Sequence, residues 1–200
     1  NAVVRSENQV RFMNIKRTPI ADVLLIDLQV YRDPRGAFCE TFNQTQFQEL
    51  IGCQAQFVQD NESKSKQGVL RGLHLQSRRP QGKLIRVTQG EVYDVFVDCR
   101  KESETFGQWS SAILSEQAQQ LLWIPQGLAH GFFTLSHEAV LQYKVTDFYD
   151  PGYELTLDWR DPSLAIDWPS NIDPLLSDKD SKGLTFQEVI EALYEEKDFN

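Results

Sequence analysis

The chain has 200 residues, a formal net charge of −9 at pH 7 and three cysteines. This length fits one domain with a substantial core. The acidic balance argues against a nucleic-acid-binding surface, because phosphate backbones are held by clustered Lys and Arg. It still allows a local basic pocket for a small phosphorylated ligand. No apolar run reaches the length of a membrane span, and the first residues lack the charged, apolar and small-residue order of a secretory signal, so we expect a soluble protein.

The cysteines are Cys39, Cys53 and Cys99, and they are scattered along the chain without a CxxC pair. This spacing indicates neither a disulfide framework nor a thiolate zinc site. We therefore expect reduced thiols and a cytoplasmic location.

Residues 1–12 are polar and precede Met13, so we interpret them as a leader outside a single domain that covers residues 13–200. From residue 15 onward, alternating apolar and polar positions separated by Gly, Pro, Asp or Asn predict strand after strand. The predicted strands cover residues 21–30, 36–42, 56–59, 91–98, 107–114, 121–124 and 139–148, with a further pair inside 68–90. Two segments, 45–51 after the cap residue Asn43 and 185–196, have helical spacing instead. The pattern predicts an all-β sandwich or barrel with short peripheral helices.

Within 68–90, strand alternation places His74 and Gln76 on the same face, which predicts that both line a cavity. The segment 125–130, PQGLAH, matches the second motif of cupin barrels and delivers His130 into the next strand. The first cupin motif normally has two histidines one residue apart, but here the second position is Gln76, a poor ligand for a transition metal. The sequence therefore favours a cupin-type barrel with no bound metal and no cofactor.

No GxSxG elbow, P-loop or GxGxxG turn is present, so side chains must hold any phosphate. The basic candidates are Arg35, Arg71, Lys83 and Lys179. Metal-free acid and base chemistry remains, with His74 as a base. Asp180 is a candidate to orient that base, Lys83 to stabilise an oxyanion, and Tyr143 to return a proton from the opposite face. This combination indicates enolate chemistry.

Eight short motifs, in order along the chain, match the pattern of a known family. The chain resembles the dTDP-4-dehydrorhamnose 3,5-epimerase family from about residue 15 to residue 180. The motifs are DPRG (33–36), FVQDN (57–61), GVLRGLH (68–74), QGK (81–83), GEV (90–92), TFGQW (105–109), IPQGLAHGF (124–132) and LSDKD (176–180).

This resemblance implies a metal-free cupin jelly roll, a double-stranded β-helix, that works as a homodimer. It implies inversion of C3 and C5 of dTDP-4-dehydro-6-deoxy-D-glucose, giving dTDP-4-dehydro-6-deoxy-L-mannose for rhamnose synthesis. By position, His74 is the general base, Asp180 its partner, Lys83 the cation near the enolate oxygen and Tyr143 the proton donor. The positions that correspond to substrate contacts are Arg35, Glu40, Gln59, Asn61, Arg71, His130, Glu154 and Lys179.

One position departs from the family pattern, where Glu62 replaces a common His. Strand alternation predicts that its side chain points away from the pocket. Three alternatives stay open: a single-centre epimerase or one acting on a CDP- or GDP-linked keto sugar, a non-catalytic sugar-nucleotide-binding cupin, and a metal-dependent cupin enzyme.

Overall fold

Two antiparallel sheets face each other in this computed structural model, which describes residues 14–52, 54–169 and 173–194. The six-stranded sheet has the order β1-β2-β10-β7-β12-β5, and the five-stranded sheet has the order β13-β6-β11-β8-β9. The first consists of β1 (Asn14–Arg17), β2 (Leu24–Asp27), β10 (Gln120–Ile124), β7 (Lys83–Gln89), β12 (Glu138–Val145) and β5 (Gln59–Lys66). The second consists of β13 (Glu154–Thr156), β6 (Leu70–Gln76), β11 (Leu128–Thr134), β8 (Glu91–Asp98) and β9 (Trp109–Ser115).

The remaining elements are small. A hairpin of β3 (Val30–Asp33) and β4 (Gly36–Cys39) forms a separate two-stranded sheet. The helices are α1 (Gln44–Ile51), α2 (Phe186–Tyr194) and a single 3-10 turn (Asp180–Lys182). This is the predicted all-β jelly roll with short peripheral helices, and in the described ranges no helix is long and apolar enough to cross a membrane.

Apolar faces explain how the layers stack. The largest buried cluster lies between the two sheets and includes Ile85 and Leu141 from one sheet and Phe96 from the other. On the outer face of the six-stranded sheet, Phe47 of α1 packs against residues such as Trp123. On the outer face of the five-stranded sheet, residues of α2 complete the third cluster. Each sheet is thus covered by the core on one side and by a helix on the other.

The predicted helix 45–51 is confirmed, and the Asn43 side chain accepts a hydrogen bond from the backbone N–H of Gln46 at its start. The second helix is confirmed over Phe186–Tyr194, and the predicted extension to residue 196 lies outside the described residues. The leader 1–12 and Met13 lie outside them as well.

Several strand predictions needed correction. The predicted strand 21–30 is two strands, β2 and the start of β3, because residues 28 and 29 leave the six-stranded sheet and β3 pairs with β4 instead. The strand predicted at 56–59 in fact begins at Gln59 and continues through a polar stretch to Lys66. Among the described strands it pairs with β12 alone, at the edge of its sheet, where a strand can be polar.

An irregularity in β6 shapes the site. His130 pairs with His74, but two residues later Phe132 pairs with Arg71, so β6 contains one extra residue between the two pairs. A bulge of this kind changes the alternation of side chains. At this point the strands approach closely, since a Cβ on Gly72 would lie 2.6 Å from the Cα of Gly131. Arg71 and His74 consequently face the same cavity, although simple alternation would separate them.

Candidate active site

A cavity of about 310 Å³ lies between the two sheets and opens to solvent at one end. Its walls contain nine of the twelve residues that the sequence singled out. These are Gln59, Asn61, Arg71, His74, Lys83, His130, Tyr143, Glu154 and Lys179.

His74 and Asp180 form the shortest polar contact at this cavity. The Nε2 atom of His74 lies 2.6 Å from Oδ1 of Asp180, whose other oxygen accepts a hydrogen bond from the Ser177 hydroxyl. Burial by itself would raise the pKa of Asp180, but the hydrogen bond and charge of His74, together with Ser177, lower it overall. The carboxylate therefore stays ionised and fixes the proton on Nε2, which leaves the Nδ1 lone pair of His74 as the basic atom.

Glu154, at the start of β13, is the second carboxylate beside His74. Its Oε1 lies 3.9 Å from Nδ1 of His74 and 2.8 Å from Nζ of Lys179. The hydroxyl of Tyr149 donates a hydrogen bond of 2.9 Å to its Oε2. Burial raises the pKa of Glu154, but Lys179, His74 and Tyr149 together outweigh this and lower it. His74 is thus flanked by two ionised carboxylates.

Lys83 lies at the bottom of the cavity with 7% of its surface exposed. Its Nζ donates a hydrogen bond of 3.0 Å to the backbone carbonyl of His74. Burial lowers the pKa of Lys83 to about 8, against the opposing charges of Asp94 and Glu154. At neutral pH the group is a poorly hydrated cation, which is well suited to stabilise negative charge that develops on a nearby oxygen.

Tyr143 comes from the opposite wall. It lies on β12 of the six-stranded sheet, whereas His74 lies on β6 of the five-stranded sheet, and both line the cavity. Burial raises the pKa of Tyr143, so its phenol holds its proton at neutral pH. A base on one wall and a proton donor on the other can act on the two faces of one bound molecule.

A second histidine–carboxylate pair lies deeper. The Nε2 of His130 is 2.9 Å from Oδ2 of Asp94, and both residues are buried. Burial raises the pKa of Asp94 and lowers that of His130. Within the described residues, Oδ1 of Asp94 has no hydrogen-bond partner. Sequence inspection missed Asp94, since an Asp in an alternating strand gives no sign that it will face a histidine.

Polar groups near the mouth form the remaining walls. Gln59 donates a hydrogen bond from Nε2 to Oδ1 of Asn61, and Nε of Arg71 donates to Ser65. Tyr149 and Ser63 also line the cavity and were missed from the sequence. Tyr149 follows a strand in a loop, where no periodicity indicates its direction, but Ser63 shares a strand face with Gln59 and Asn61, and that alternation was an available signal.

The structure does not bring Arg35 and Glu40 to this cavity. Arg35 lies in the turn of the β3–β4 hairpin, where its guanidinium contacts Asp33 at 2.6 Å and its side chain is 91% exposed. Glu40 follows β4 and is exposed. Both residues belong to a hairpin outside the two main sheets.

Two further expectations about direction can be compared with the structure. Glu62 lies away from the cavity, as strand alternation predicts, and accepts a hydrogen bond of 2.7 Å from Gln142. The prediction for Gln76 is wrong. Its side-chain amide donates to the backbone carbonyls of Arg79 and Phe148 and so holds the neighbouring loops instead of lining the cavity with His74.

Among the described residues, no group of three His, Cys, Asp or Glu side chains has the arrangement of a metal site.

The jelly-roll fold, with a histidine, a buried lysine and a tyrosine that face one cavity, is that of a cupin-type isomerase. Comparison with known proteins is more specific, since the family model described as dTDP-4-dehydrorhamnose 3,5-epimerase matches residues 17–188. The chain belongs to this family.

Individual relatives agree with this assignment. The dTDP-4-dehydrorhamnose 3,5-epimerase of Pseudomonas aeruginosa is 51% identical over 177 residues, which cover 88% of this chain and 98% of the relative. The crystal structure of the Legionella pneumophila dTDP-6-deoxy-D-glucose-3,5-epimerase, in complex with dTDP-4-keto-L-rhamnose, is 48% identical with a TM-score of 0.84 and covers 87% of this chain and 93% of its own. A 3'-monoepimerase of Streptomyces bikiniensis, solved with dTDP-quinovose, is 29% identical with a TM-score of 0.82 and covers 90% of this chain and 95% of its own.

Proposed function

We propose that the protein inverts C3 and C5 of dTDP-4-dehydro-6-deoxy-D-glucose and so forms dTDP-4-dehydro-6-deoxy-L-mannose for rhamnose synthesis. The observation that carries this proposal is the placement of His74 and Tyr143 on opposite walls of one cavity, with Lys83 at its bottom. Membership of the epimerase family supports the same substrate and reaction.

The chemistry begins with proton abstraction next to the 4-keto group. Nδ1 of His74 takes the proton, the C–H electron pair moves into an enolate, and Asp180 stabilises the imidazolium through its 2.6 Å contact with Nε2. The ammonium group of Lys83 stabilises the charge on the enolate oxygen. Tyr143 then gives its phenolic proton to the opposite face of the carbon, which inverts the centre.

The nucleotide occupies the mouth of the cavity in this proposal. Arg71 and Lys179 supply positive charge for the diphosphate, and Gln59, Asn61, His130 and Glu154 supply hydrogen bonds to the nucleotide or the sugar. The reaction uses no metal and no other cofactor. We also propose that residues 13–200 act as one domain in the cytoplasm, which suits the free thiols of Cys39 and Cys99.

A homodimer completes the proposal. The β3–β4 hairpin exposes Tyr31 and Phe38, at 55% and 67%, and such aromatic pairs on a surface are typical of protein interfaces. Arg35 and Glu40 lie on or beside this hairpin, so we assign their substrate contacts to the cavity of the partner copy. Light scattering on Phe38→Glu tests this assignment, since the variant should be monomeric and the native protein dimeric.

Product analysis tests the function directly. The purified protein is incubated with dTDP-4-dehydro-6-deoxy-D-glucose, and NMR coupling constants assign the configuration at C3 and C5 of the product. Inversion at both carbons is expected. Inversion at one carbon would instead support the single-centre alternative, which the similarity to a 3'-monoepimerase keeps relevant. No conversion by folded protein would contradict the proposal and direct the search to CDP- and GDP-linked keto sugars.

A further inference from the structure

One carboxylate oxygen at the cavity mouth lies between the ammonium group of Lys179 and the ring of His74. Oε1 of Glu154 is 2.8 Å from Nζ of Lys179 and 3.9 Å from Nδ1 of His74. Its second oxygen is already engaged by Tyr149. Lys179 and a protonated His74 therefore compete for the same atom, and Lys179 holds it in the structure.

The ammonium group of Lys179 can also bind an anionic ligand. Its side chain is 47% exposed and lines the cavity with Arg71, so it is within reach of an anionic group at the mouth. An ammonium group that turns to a diphosphate gives up its contact with Glu154, since three donors on a flexible stem serve the more highly charged partner first. Oε1 of Glu154 then becomes available to Nδ1 of His74.

We propose that binding of the nucleotide diphosphate transfers Lys179 from Glu154 to the ligand, and that the freed Glu154 then supports His74 as a base. Glu154 acts here as a positioning residue for the base. This proposal rests on the proposed function and adds a coupling between nucleotide binding and proton abstraction. Such coupling brings the Glu154 carboxylate to the base only when a nucleotide sugar has bound.

The supported step is the first proton transfer. The C–H bond next to the ketone breaks, its electron pair passes to the enolate oxygen, and a new N–H bond forms at Nδ1 of His74. The freed Oε1 of Glu154 accepts a hydrogen bond from this new N–H, while Asp180 continues to accept from Nε2. Both imidazolium N–H groups then have a carboxylate partner, so the proton is held more strongly.

Other polar and charged groups also surround His74 and contribute to its electrostatic environment, whether or not Glu154 is free. Those that face it from the surrounding elements are Arg71 on its own strand, Lys83 on β7, His130 with Asp94 behind it, Tyr143 on β12, Tyr149 in the loop before β13, and Asp180 beside the 3-10 turn. Within the part of the chain that the structure describes, the polar neighbours of Oε1 of Glu154 are Lys179 and the ring of His74. The exchange is therefore local to three side chains.

A double-mutant cycle on dTDP binding tests the exchange. Calorimetry measures the affinity of the native protein, Glu154→Gln, Lys179→Met and the double variant for dTDP, which has the diphosphate but no sugar. Glu154→Gln should tighten dTDP binding by about two- to fivefold, because Lys179 no longer has to leave an ion pair of ordinary surface strength. In the Lys179→Met background the same change should have no effect.

A matched control uses the Lys64–Glu138 ion pair, whose atoms are also 2.8 Å apart but which lies outside the cavity. Glu138→Gln changes the net charge equally and should leave dTDP affinity unchanged. Two results would overturn the exchange: unchanged or weaker binding by Glu154→Gln, or an equal gain in the Lys179→Met background, which would indicate direct repulsion between Glu154 and the nucleotide.

Two further readouts separate positioning from a structural defect. Glu154→Gln should lower kcat while dTDP affinity rises, whereas damage to the fold would reduce both. In the native protein, dTDP should move the ¹⁵N resonance of His74 Nδ1 towards its protonated, hydrogen-bonded position at a fixed pH near 6.5, and this movement should be much smaller in Glu154→Gln. Failure of dTDP to bind the native protein would contradict the proposed function itself, whereas binding without coupling would contradict only the exchange.

Discussion

Two histidine–carboxylate pairs lie on neighbouring strands and yet have different properties. His74 and His130 are directly paired residues of β6 and β11, and each ring contacts a carboxylate through Nε2. The His74 side chain is 25% exposed and borders the open cavity, whereas that of His130 is 9% exposed and its partner Asp94 is fully buried. We therefore expect His74 to be the base, because it has access to bound substrate, and not because its pair differs chemically from that of His130.

The two pairs differ because their carboxylates come from different parts of the fold. Asp180 comes from the 3-10 turn at the periphery and reaches the ring from outside, so the opposite nitrogen of His74 faces the cavity. Asp94 comes from β8, an inner strand of the five-stranded sheet, and its contact with His130 is buried. The buried pair is suited to holding the cavity wall and to contacting substrate, and the outer pair is suited to proton transfer.

The largest difference between the pairs should appear when each histidine is replaced by asparagine. His74→Asn should lower kcat by about 10³- to 10⁴-fold, because it removes the general base. His130→Asn should act mainly on KM, with a loss in kcat of no more than about tenfold. Steady-state assays of both variants measure the contrast, and His137→Asn, at an exposed turn, serves as the control that should behave like the native protein.

The carboxylates should show the same contrast with a smaller effect. Asp180→Asn keeps the size of the side chain but no longer stabilises the imidazolium, so kcat should fall by about 10²- to 10³-fold with little change in melting temperature. Asp94→Asn should instead lower the free energy of unfolding by about 1–3 kcal/mol, because a buried hydrogen bond is disturbed. Urea denaturation and initial rates are measured on both variants. A large loss of stability in Asp180→Asn together with a large loss of kcat in Asp94→Asn would contradict the account.

Lys83 links the two pairs, since it contacts the backbone of His74 and lies near Asp94. With its pKa lowered to about 8, the group is cationic below that pH and neutral above it. We therefore expect kcat/KM to decline as pH rises through about 8. Lys83→Met should lower kcat by about 10²-fold, and its residual activity should not show this decline. A variant that retained the decline would assign it to another group.

The smallest of these effects on the first chemical step should come from Tyr143→Phe. Without the phenol, His74 can still remove a proton, but protonation of the opposite face is lost. In heavy water the variant should therefore exchange the substrate hydrogen by return from the His74 side faster than it forms inverted product. Equal losses of exchange and inversion would show that Tyr143 also takes part in proton abstraction.

Much of this arrangement could be predicted from the sequence. Strand alternation and turn residues predicted the β-rich fold. The chemistry of the side chains and the family resemblance grouped His74, Lys83, Tyr143 and Asp180, which do lie together in the structure. The sequence did not predict correctly which way individual side chains of β6 point. The extra residue in β6 brings Arg71 to the same cavity as His74, and such a bulge depends on contact with β11 and leaves no signal within the strand itself. Gln76 keeps the alternation of His74, but hydrogen bonds to two loop carbonyls hold its amide outside the cavity.

The polar edge strand β5 shows a second limit. Its residues lack the apolar alternation that predicts a strand, and pairing with β12 supplies the order instead. The carboxylates beside the histidines show a third limit of prediction from the sequence. Asp180 is 106 positions from His74 and Asp94 is 36 from His130, so the sequence alone gives no indication of the second pair. Family resemblance supplied Asp180, and only the fold revealed Asp94.

Solvent isotope exchange tests the central claim most directly. The native protein, His74→Asn and His130→Asn are incubated in heavy water with dTDP-4-dehydro-6-deoxy-D-glucose, and NMR follows deuterium at C3 and C5. Entry of deuterium at both carbons with the native protein and with His130→Asn, and at neither with His74→Asn, is the result we predict. Exchange that persists in His74→Asn and disappears in His130→Asn would contradict the assignment of the base.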